Sequence, residues 1–404
     1  MADDMADYEQ TLRQMVPALT EIRRHIHQHP EIGFEEFGTA ALVAEKLHEW
    51  GLEVTTGIGG TGVVGTLRGK QPGEGVIGLR ADMDALRLQE KTGLPYASAY
   101  DGKMHACGHD GHTAMLLGAA WLLSRHPDFA GTVHFIFQPA EEGLGGAREM
   151  LNDGLLSRFP CQYLFGLHNK PGIAAGHFSL CSGPMLCASD SWRVVFRGTG
   201  GHGGSGAHLS IDPTLPAAQF VLALQTVVSR NVPAMEAAVL SVGHIGGGDP
   251  LAPNVIPDHV TVTGTGRSYS PAIRELLAKR LTALAQHSAQ AFGATAEVDY
   301  EFQYPVLVNQ QEMAGRARQA AERVAGAHAV NGEMTPLLGA EDFAYLLEQR
   351  PGAFIMVGNG TDDDAHGRPL HTPHYDFNDA LIPVGVRYWV ELVRQELPLT
   401  GGIA

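Results

Sequence analysis

The chain has few cysteines: Cys107, Cys161, Cys181 and Cys187 are the only four in 404 residues. That number and spacing make no disulfide framework, so a reducing, cytoplasmic setting is expected. Positive charge is also scarce. Against 44 Asp and Glu stand 28 Lys and Arg, a formal net charge of -16. Such an acidic surface disfavours nucleic acid and anionic membrane, and neither is expected as a partner. Long apolar runs are missing too. The longest, Ala114 to Leu123, is ten residues, whereas a bilayer crossing needs about 20. The opening MADDMADYEQ carries four acids and no basic or apolar segment, unlike a signal peptide. No internal repeat or low-complexity tract is visible.

What is present reads as ordinary globular protein, 44% hydrophobic and 18% charged, and long enough for two domains. A helix is predicted from about Tyr8 to His29, where Leu12, Val16, Leu19, Ile22 and Ile26 make an apolar stripe that Pro30 ends. A second runs from about Gly38 to Trp50. Short apolar runs then read as strands: Gly62 to Leu67, Val76 to Arg80, Val133 to Gln138 and Tyr163 to Leu167, with a helix at about Gly111 to Ser124. Alternation of this kind predicts an α/β sheet covered on both faces. From residue 188 the order changes. Strands at Trp192 to Arg197, Ala238 to Ile245, His259 to Arg267 and Ala296 to Phe302 alternate with helices at Pro213 to Ser229 and Pro271 to Phe292. That βαββαβ order is a ferredoxin-like split unit. The expected organisation is therefore a mixed-sheet α/β domain formed by residues 1–187 and 303–404, with a ferredoxin-like unit inserted at 188–302. A helix near Gln311 to Ala325 resumes the first domain.

The densest chemistry lies in His105-Ala106-Cys107-Gly108-His109-Asp110-Gly111-His112. Three histidines, a thiol and an acid just before a helix can present imidazole and thiolate to one metal face. Alternatively, they are a histidine-rich turn in a protein with 20 His. The apolar strand before Gln138-Pro139-Ala140 runs straight into Glu141 and Glu142, at the sheet edge where α/β sites lie. Read alone, that pair is also a solvated loop. The strand at Leu164 to Leu167 ends in His168-Asn169, and Leu370-His371-Thr372-Pro373 places another histidine in a turn. With Asp82 and Asp84, these strand ends form a convergent set of hard-to-intermediate ligands.

Eight motifs follow in order: Arg80-Ala81-Asp82-Met83-Asp84-Ala85-Leu86, HACGHDGHT, FQPAEEG, GLHN, GHGG, NVIPD, GAEDF and LHTPHYDF. In this the chain resembles the M20 metallopeptidases from about Arg24 to Trp389. It looks specifically like their amidohydrolase branch of hippurate hydrolases, N-acyl-amino-acid amidohydrolases and auxin-conjugate hydrolases. The resemblance implies a dinuclear catalytic domain with an inserted unit that serves as lid and dimerisation domain. It implies two divalent ions per subunit, Zn, Mn or Co, held by Cys107, His109, Glu142, His168 and His371. Glu141 is then the general base. Many M20 enzymes have a ligating histidine where this chain has Asp82, which leaves open whether Asp82 touches metal; Asp84 is expected to orient a ligand. His202, within Gly198–Gly204, is implied to reach a partner subunit's site and stabilise the oxyanion, although a lone loop histidine is ordinarily just solvated. Asn254 and Arg267 are implied to grip a substrate carboxylate, for which the planar Arg fork is suited; an Arg ending a strand is otherwise a surface residue. Glu341-Asp342-Phe343 is expected to support the metal site.

These residue types explain one chemistry. An amide resists water at neutral pH, and two metals about 3.5–4 Å apart can activate water and polarise the carbonyl. A carboxylate that binds no metal then moves the proton. The expected reaction is hydrolysis of N-acyl or N-aroyl amino acids by a homodimer or tetramer. The alternatives are a dipeptidase or carboxypeptidase of the same family, a cysteine amidase using Cys107 as nucleophile, and a relative that binds ligand without chemistry. Glu141 argues against the last, because holding metal does not require it.

Overall fold

The computed structural model describes residues 2–361 and 365–399. Two compact units emerge. The larger is Met1–Met185, Val308–Thr335 and Asp342–Ala404; the inserted one is Leu186–Leu307 with Pro336–Glu341. The sequence reading of 188–302 lacks that last stretch. It belongs because the Cys187 N–H donates to the Gly339 carbonyl at 2.9 Å and Leu186 bridges Leu337.

In the larger unit, helix α1 (Ala2–Gln28) buries the expected stripe at Leu12, Leu19 and Ile26, and α2 (Phe37–Glu49) follows. The strands are β1 (Glu53–Ile58), β2 (Gly62–Arg68), β3 (Gln71–Asp82), β4 (Ala130–Gln138), β5 (Tyr163–Pro171) and the short β6 (Phe178–Ser179). Helix α3 (His109–Arg125) connects β3 to β4. After the inserted unit come α6 (Gln311–Ala325), β11 (Val330–Asn331), β12 (Gly352–Gly360) and α7 (Leu381–Glu396). The eight strands order as β1-β2-β4-β3-β5-β12-β6-β11. β4, β3, β5 and β12 run parallel at its centre, and the remaining neighbours are mostly antiparallel. Parallel central strands bring their carboxyl ends to one edge, and there the chain carries Asp82, Gln138 and His168.

Gly108 sets the entry to α3. Its φ is 98°, and a Cβ there would lie 2.1 Å from Asn169 Oδ1 and 2.7 Å from the Tyr375 hydroxyl. Only glycine takes that conformation and that space together. α3 then buries residues on nearly every side, so its first turn is anchored in the core rather than frayed.

The inserted unit pairs β7 (Ala188–Arg197), β8 (Ala238–Gly246), β9 (His259–Ser268) and β10 (Thr295–Phe302) in the antiparallel order β8-β9-β7-β10. Helices α4 (Thr214–Asn231) and α5 (Pro271–Ala291) complete the βαββαβ unit. Trp192, Phe196, Phe220, Leu224, Leu277 and Leu281 form its core. Trp192 meets Phe220 edge-on, centroids 6.1 Å apart. Truncating Phe220 to Ala would cost about 3–5 kcal/mol.

Candidate active site

Cys107 lies on the turn before α3, His109 opens that helix, Glu141 and Glu142 follow β4, and His168 is on β5. His371 arrives from a distant turn, where its N–H donates to the Ala106 carbonyl at 2.8 Å. The Cys107 Sγ is 3.4 Å from His168 Nε2 and 3.4 Å from His371 Nε2. His371 Nε2 is 3.1 Å from Glu142 Oε1, and His109 Nε2 is 3.9 Å from that same oxygen. All five residues implied as ligands therefore meet around one small volume. Glu141 joins His109 and Glu142 in a further group whose donor atoms lie within 4.8 Å of one another.

Two atoms in this set, His109 Nε2 and Glu142 Oε1, are buried without a hydrogen-bond partner. An unsatisfied buried polar group costs about 1–3 kcal/mol, and a cation between the two would remove that cost. The protonation pattern fits as well. Burial, then the carboxylates of Glu142, Glu141 and Asp82, push the Cys107 thiol well above its usual range. Burial would lower His109, but Asp82 and Asp84 outweigh it and raise the imidazole to about 10. The cluster therefore carries an excess of negative charge, which suits a cation. A thiol, three imidazoles and a carboxylate suit Zn, Mn or Co.

Asp82 forms a further group with His109, His112 and His168 whose donor atoms lie within 4.8 Å of one another. Asp82 accepts from Arg80 Nη1 at 2.8 Å on Oδ2 and lies 2.7 Å from His112 Nδ1 on Oδ1. On its other side His112 Nε2 lies 2.8 Å from Asn169 Oδ1 and 2.9 Å from the Asn169 backbone nitrogen, so Asp82 and Asn169 hold the ring between them. Both oxygens of Asp82 are thus engaged. Burial would raise its carboxyl, yet His109, His112 and Arg80 hold it well below the usual range. Asp84 lies 3.2 Å from His109 Nδ1 and accepts the Glu142 N–H at 2.9 Å, so one carboxylate orients two members of the donor set. Asp342 accepts from Arg80 Nη2 at 3.1 Å, from Gln138 at 2.7 Å and from the Ala147 N–H at 2.9 Å. It ties the ends of β3 and β4 together.

Three non-glycine residues among those described have positive φ: Phe34 at 65°, Ala140 at 53° and His371 at 60°. Each costs about 1–3 kcal/mol. His371 is in the donor set, and Ala140 immediately precedes Glu141.

The inserted unit carries His202, Asn254 and Arg267. His202 Nδ1 accepts the N–H groups of Gly204 and Ser205 at 3.0 and 3.1 Å. Its proton therefore sits on Nε2, and the exposed ring is a donor. His202 pairs with Val255 in a two-residue ladder, and the Gly203 N–H donates to the Asn254 carbonyl at 2.8 Å. Arg267 is elsewhere. It ends the ten-residue strand β9, opposite Ser189, whereas the His202 loop leaves β7 opposite the start of β9. The two ends are about 30 Å apart. The expected grouping of Asn254 with Arg267 is not formed within one chain; Asn254 sits with His202 instead.

The profile of peptidase family M20/M25/M40 matches residues 78–395. The chain belongs to that family. It is 42% identical to an N-acetyl-L-cysteine deacetylase of Bacillus subtilis, across 85% of this chain and 81% of the relative. It is 40% identical to a hippurate hydrolase of Campylobacter jejuni, across 93% and 96%. A dinuclear metal-binding M20 peptidase of Bacillus subtilis superposes with a TM-score of 0.81 at 33% identity, covering 94% of this chain and 98% of that one. The protein is thus an M20 metal-dependent amidohydrolase with a site for two divalent ions, and the unsatisfied donors match that requirement.

Two residues of this M20 site escaped the sequence reading. His112 was visible in the histidine run, but its partners Asp82 and Asn169 are 30 and 57 positions away. Glu36 is fully buried and accepts the Ala140 N–H at 2.8 Å. Nothing in the local sequence marks it: Glu35 precedes it and Phe37 follows it. Burial pushes the Glu36 carboxyl up to about 7, although the Thr61 hydrogen bond lowers it.

Proposed function

We propose that this enzyme hydrolyses the amide bond of N-acyl or N-aroyl amino acids, releasing a carboxylic acid and a free amino acid. The adjacent pair Glu141-Glu142 carries the reading. The Glu142 carboxylate faces Cys107, His109 and His371, while Glu141 beside it is 6% exposed and within reach of the same volume. Cys107, His109, Glu142, His168 and His371 would hold two divalent ions. When bound, these supply Lewis acidity to water and to the amide carbonyl. Glu141 takes a proton from the attacking water and delivers it to the departing amine nitrogen. Asp84 keeps His109 and Glu142 aimed. His202 donates from Nε2 to the carbonyl oxygen as negative charge develops there. Arg267 and Asn254 bind the substrate's carboxylate.

A homodimer is part of the proposal. Residues at opposite ends of β9 can serve one small substrate only if different copies supply them. β8 is an edge strand, and near it Leu222 is 76% exposed, Met235 97% and Ile245 55%. Unpaired edges and apolar patches of this kind call for a partner. A cytoplasmic setting is supported by four free, buried thiols. Among the described residues no helix is long and apolar enough to cross a membrane.

A cysteine nucleophile needs a lowered thiol pKa, and the buried Cys107 among carboxylates has the opposite. A carboxypeptidase would use the same residues, and two relatives at 35% and 36% identity are named thermostable carboxypeptidases. The test is a hydrolysis panel on protein of measured metal content. It sets N-acetyl, N-benzoyl and longer acyl amino acids against dipeptides. Turnover of acyl amino acids that chelator removes and Mn²⁺, Zn²⁺ or Co²⁺ restores is expected. Turnover indifferent to chelator but lost on thiol alkylation would sink the reading.

A further inference from the structure

We propose that Glu36 is a positioning residue, and that the Glu31–Glu36 segment is a brace fixing the turn from which Glu141 works. The inference rests on reading Glu141 as the proton carrier. The Glu36 side chain divides its two oxygens: Oε1 accepts the Ala140 N–H at 2.8 Å, and Oε2 accepts the Thr61 hydroxyl at 2.6 Å. Ala140 holds a φ of 53°, a conformation that turns the chain sharply between β4 and Glu141. The Ala140 carbonyl in turn accepts the Gly146 N–H at 3.0 Å, which closes the loop carrying both glutamates.

Gly33 lies against the same turn. A Cβ on it would come within 3.0 Å of the Cα and Cβ of Ala140 and of Leu144 Cδ1. At its other end the segment grips the sequel of β3. The Ala85 N–H donates to the Glu31 carbonyl at 2.8 Å, and Ile32 bridges Ala85 in parallel. Ala85 directly follows Asp84. Six residues therefore contact both the turn that presents Glu141 and the strand end that presents Asp84. The segment carries its own positive φ at Phe34, 65°. Burying a carboxylate to hold one backbone N–H is costly unless the geometry it enforces matters, and here the enforced residue adjoins the reacting group.

Displacing a catalytic group by about 1 Å can cost about 100-fold in rate. Glu36→Ala should lower kcat by about 10–100-fold, while KM and metal content stay within about twofold of wild type. Glu36→Gln, whose carbonyl still accepts from Ala140, should keep most of the rate. Adding Ala140→Gly to Glu36→Ala should recover about tenfold, because glycine takes positive φ without a clamp. A merely structural role would show neither the Gln rescue nor the Gly rescue. If Glu36→Ala does not fold, Gly33→Ala displaces the turn with Glu36 intact and should lower kcat while metal is retained. Wild-type kcat in the variants that fold, metal loss in Glu36→Ala, or Gln no better than Ala would overturn the brace. Glu141→Gln separates the two readings. If it is inactive with metal bound while Glu36→Ala runs at the wild-type rate, only the brace fails. If Glu141→Gln itself turns over normally, the assignment of Glu141 fails first.

Discussion

The two units bury opposite things. In the larger one, Arg23, Arg80, Asp82, His109, Asp110 and Asp342 are all fully buried, an assembly that well-packed apolar residues would replace at no loss of stability. The inserted unit has an apolar core of Trp192, Val194, Phe196, Phe220 and Leu277. Its buried carboxylate Asp190 is paired with Arg274 at 2.6 Å. Outside, the inserted unit leaves Leu209, Leu222, Met235 and Leu251 more than three-quarters exposed. Charge retained inside one unit points to chemistry there. Apolar surface retained outside the other accords with the homodimer proposed above.

The contrast breaks most sharply at Glu141. Glu141→Gln should lower turnover by about 10²–10⁴-fold with metal content unchanged, whereas Cys107→Ser should lose metal and turnover together. Elemental analysis beside kinetics decides it. Metal loss in Glu141→Gln would make that residue a ligand and reassign the proton carrier.

Next in size is His202, where loss of one oxyanion donor costs about 10²–10³-fold. Glu141→Ala and His202→Ala should each be nearly inactive alone. Mixed after exchange, half the dimers carry both variants, and each such dimer rebuilds one intact site if His202 acts across the two-fold. Activity should then return to about a quarter of wild type. A mixture that stays dead, with exchange verified by mass, would place His202 in its own chain's site.

Much of this was legible in the sequence. The βαββαβ order followed from strand and helix lengths, and the Glu141-Glu142 pair stood out because an apolar strand ran into it. What escaped depends on distant partners or on burial from every side. β12 is central in the sheet, yet all nine of its residues are buried, so it shows no alternation to find. Arg80 meets Asp342 across 262 positions and Glu36 meets Ala140 across 104; no local pattern encodes such contacts. The separation of Arg267 from Asn254 was likewise invisible, because only strand register shows which end of β9 each occupies.

Arg267 sharpens the comparison from the inserted side. Its Nη1 donates to the Gly266 carbonyl at 2.8 Å and to Thr265 Oγ1, which holds the guanidinium at the strand end. Arg267→Ala should raise KM for a free-acid substrate by about 10–100-fold, the worth of a charged hydrogen bond. A substrate whose carboxylate is blocked as an amide should be poor for wild type and little changed by the variant. Equal turnover of acid and amide would remove the carboxylate clamp.

The smallest expected effect is on stability, and it belongs to the larger unit alone. His27 is fully buried, with Nδ1 2.9 Å from Asp110 Oδ2 and Nε2 3.4 Å from Glu90 Oε1. Burial would lower its pKa, but hydrogen bonds to the two carboxylates raise it to about 9. A folded pKa above the unfolded value near 6.5 stabilises the protein fully below about pH 6.5, and that gain fades as pH rises through 9. The shift corresponds to at most about 3 kcal/mol. Urea unfolding of chelator-treated protein, from pH 6 to 9.5, should show it, because metal uptake then adds no pH dependence of its own. His109, raised to about 10, adds a slope to any such curve, so the reading is the difference between wild type and His27→Gln. The variant should be less stable at pH 6 and should lose less on going to pH 9. Parallel curves for the two proteins would mean that His27 is neutral in the fold, with its ring held by the carboxylates through one proton rather than two.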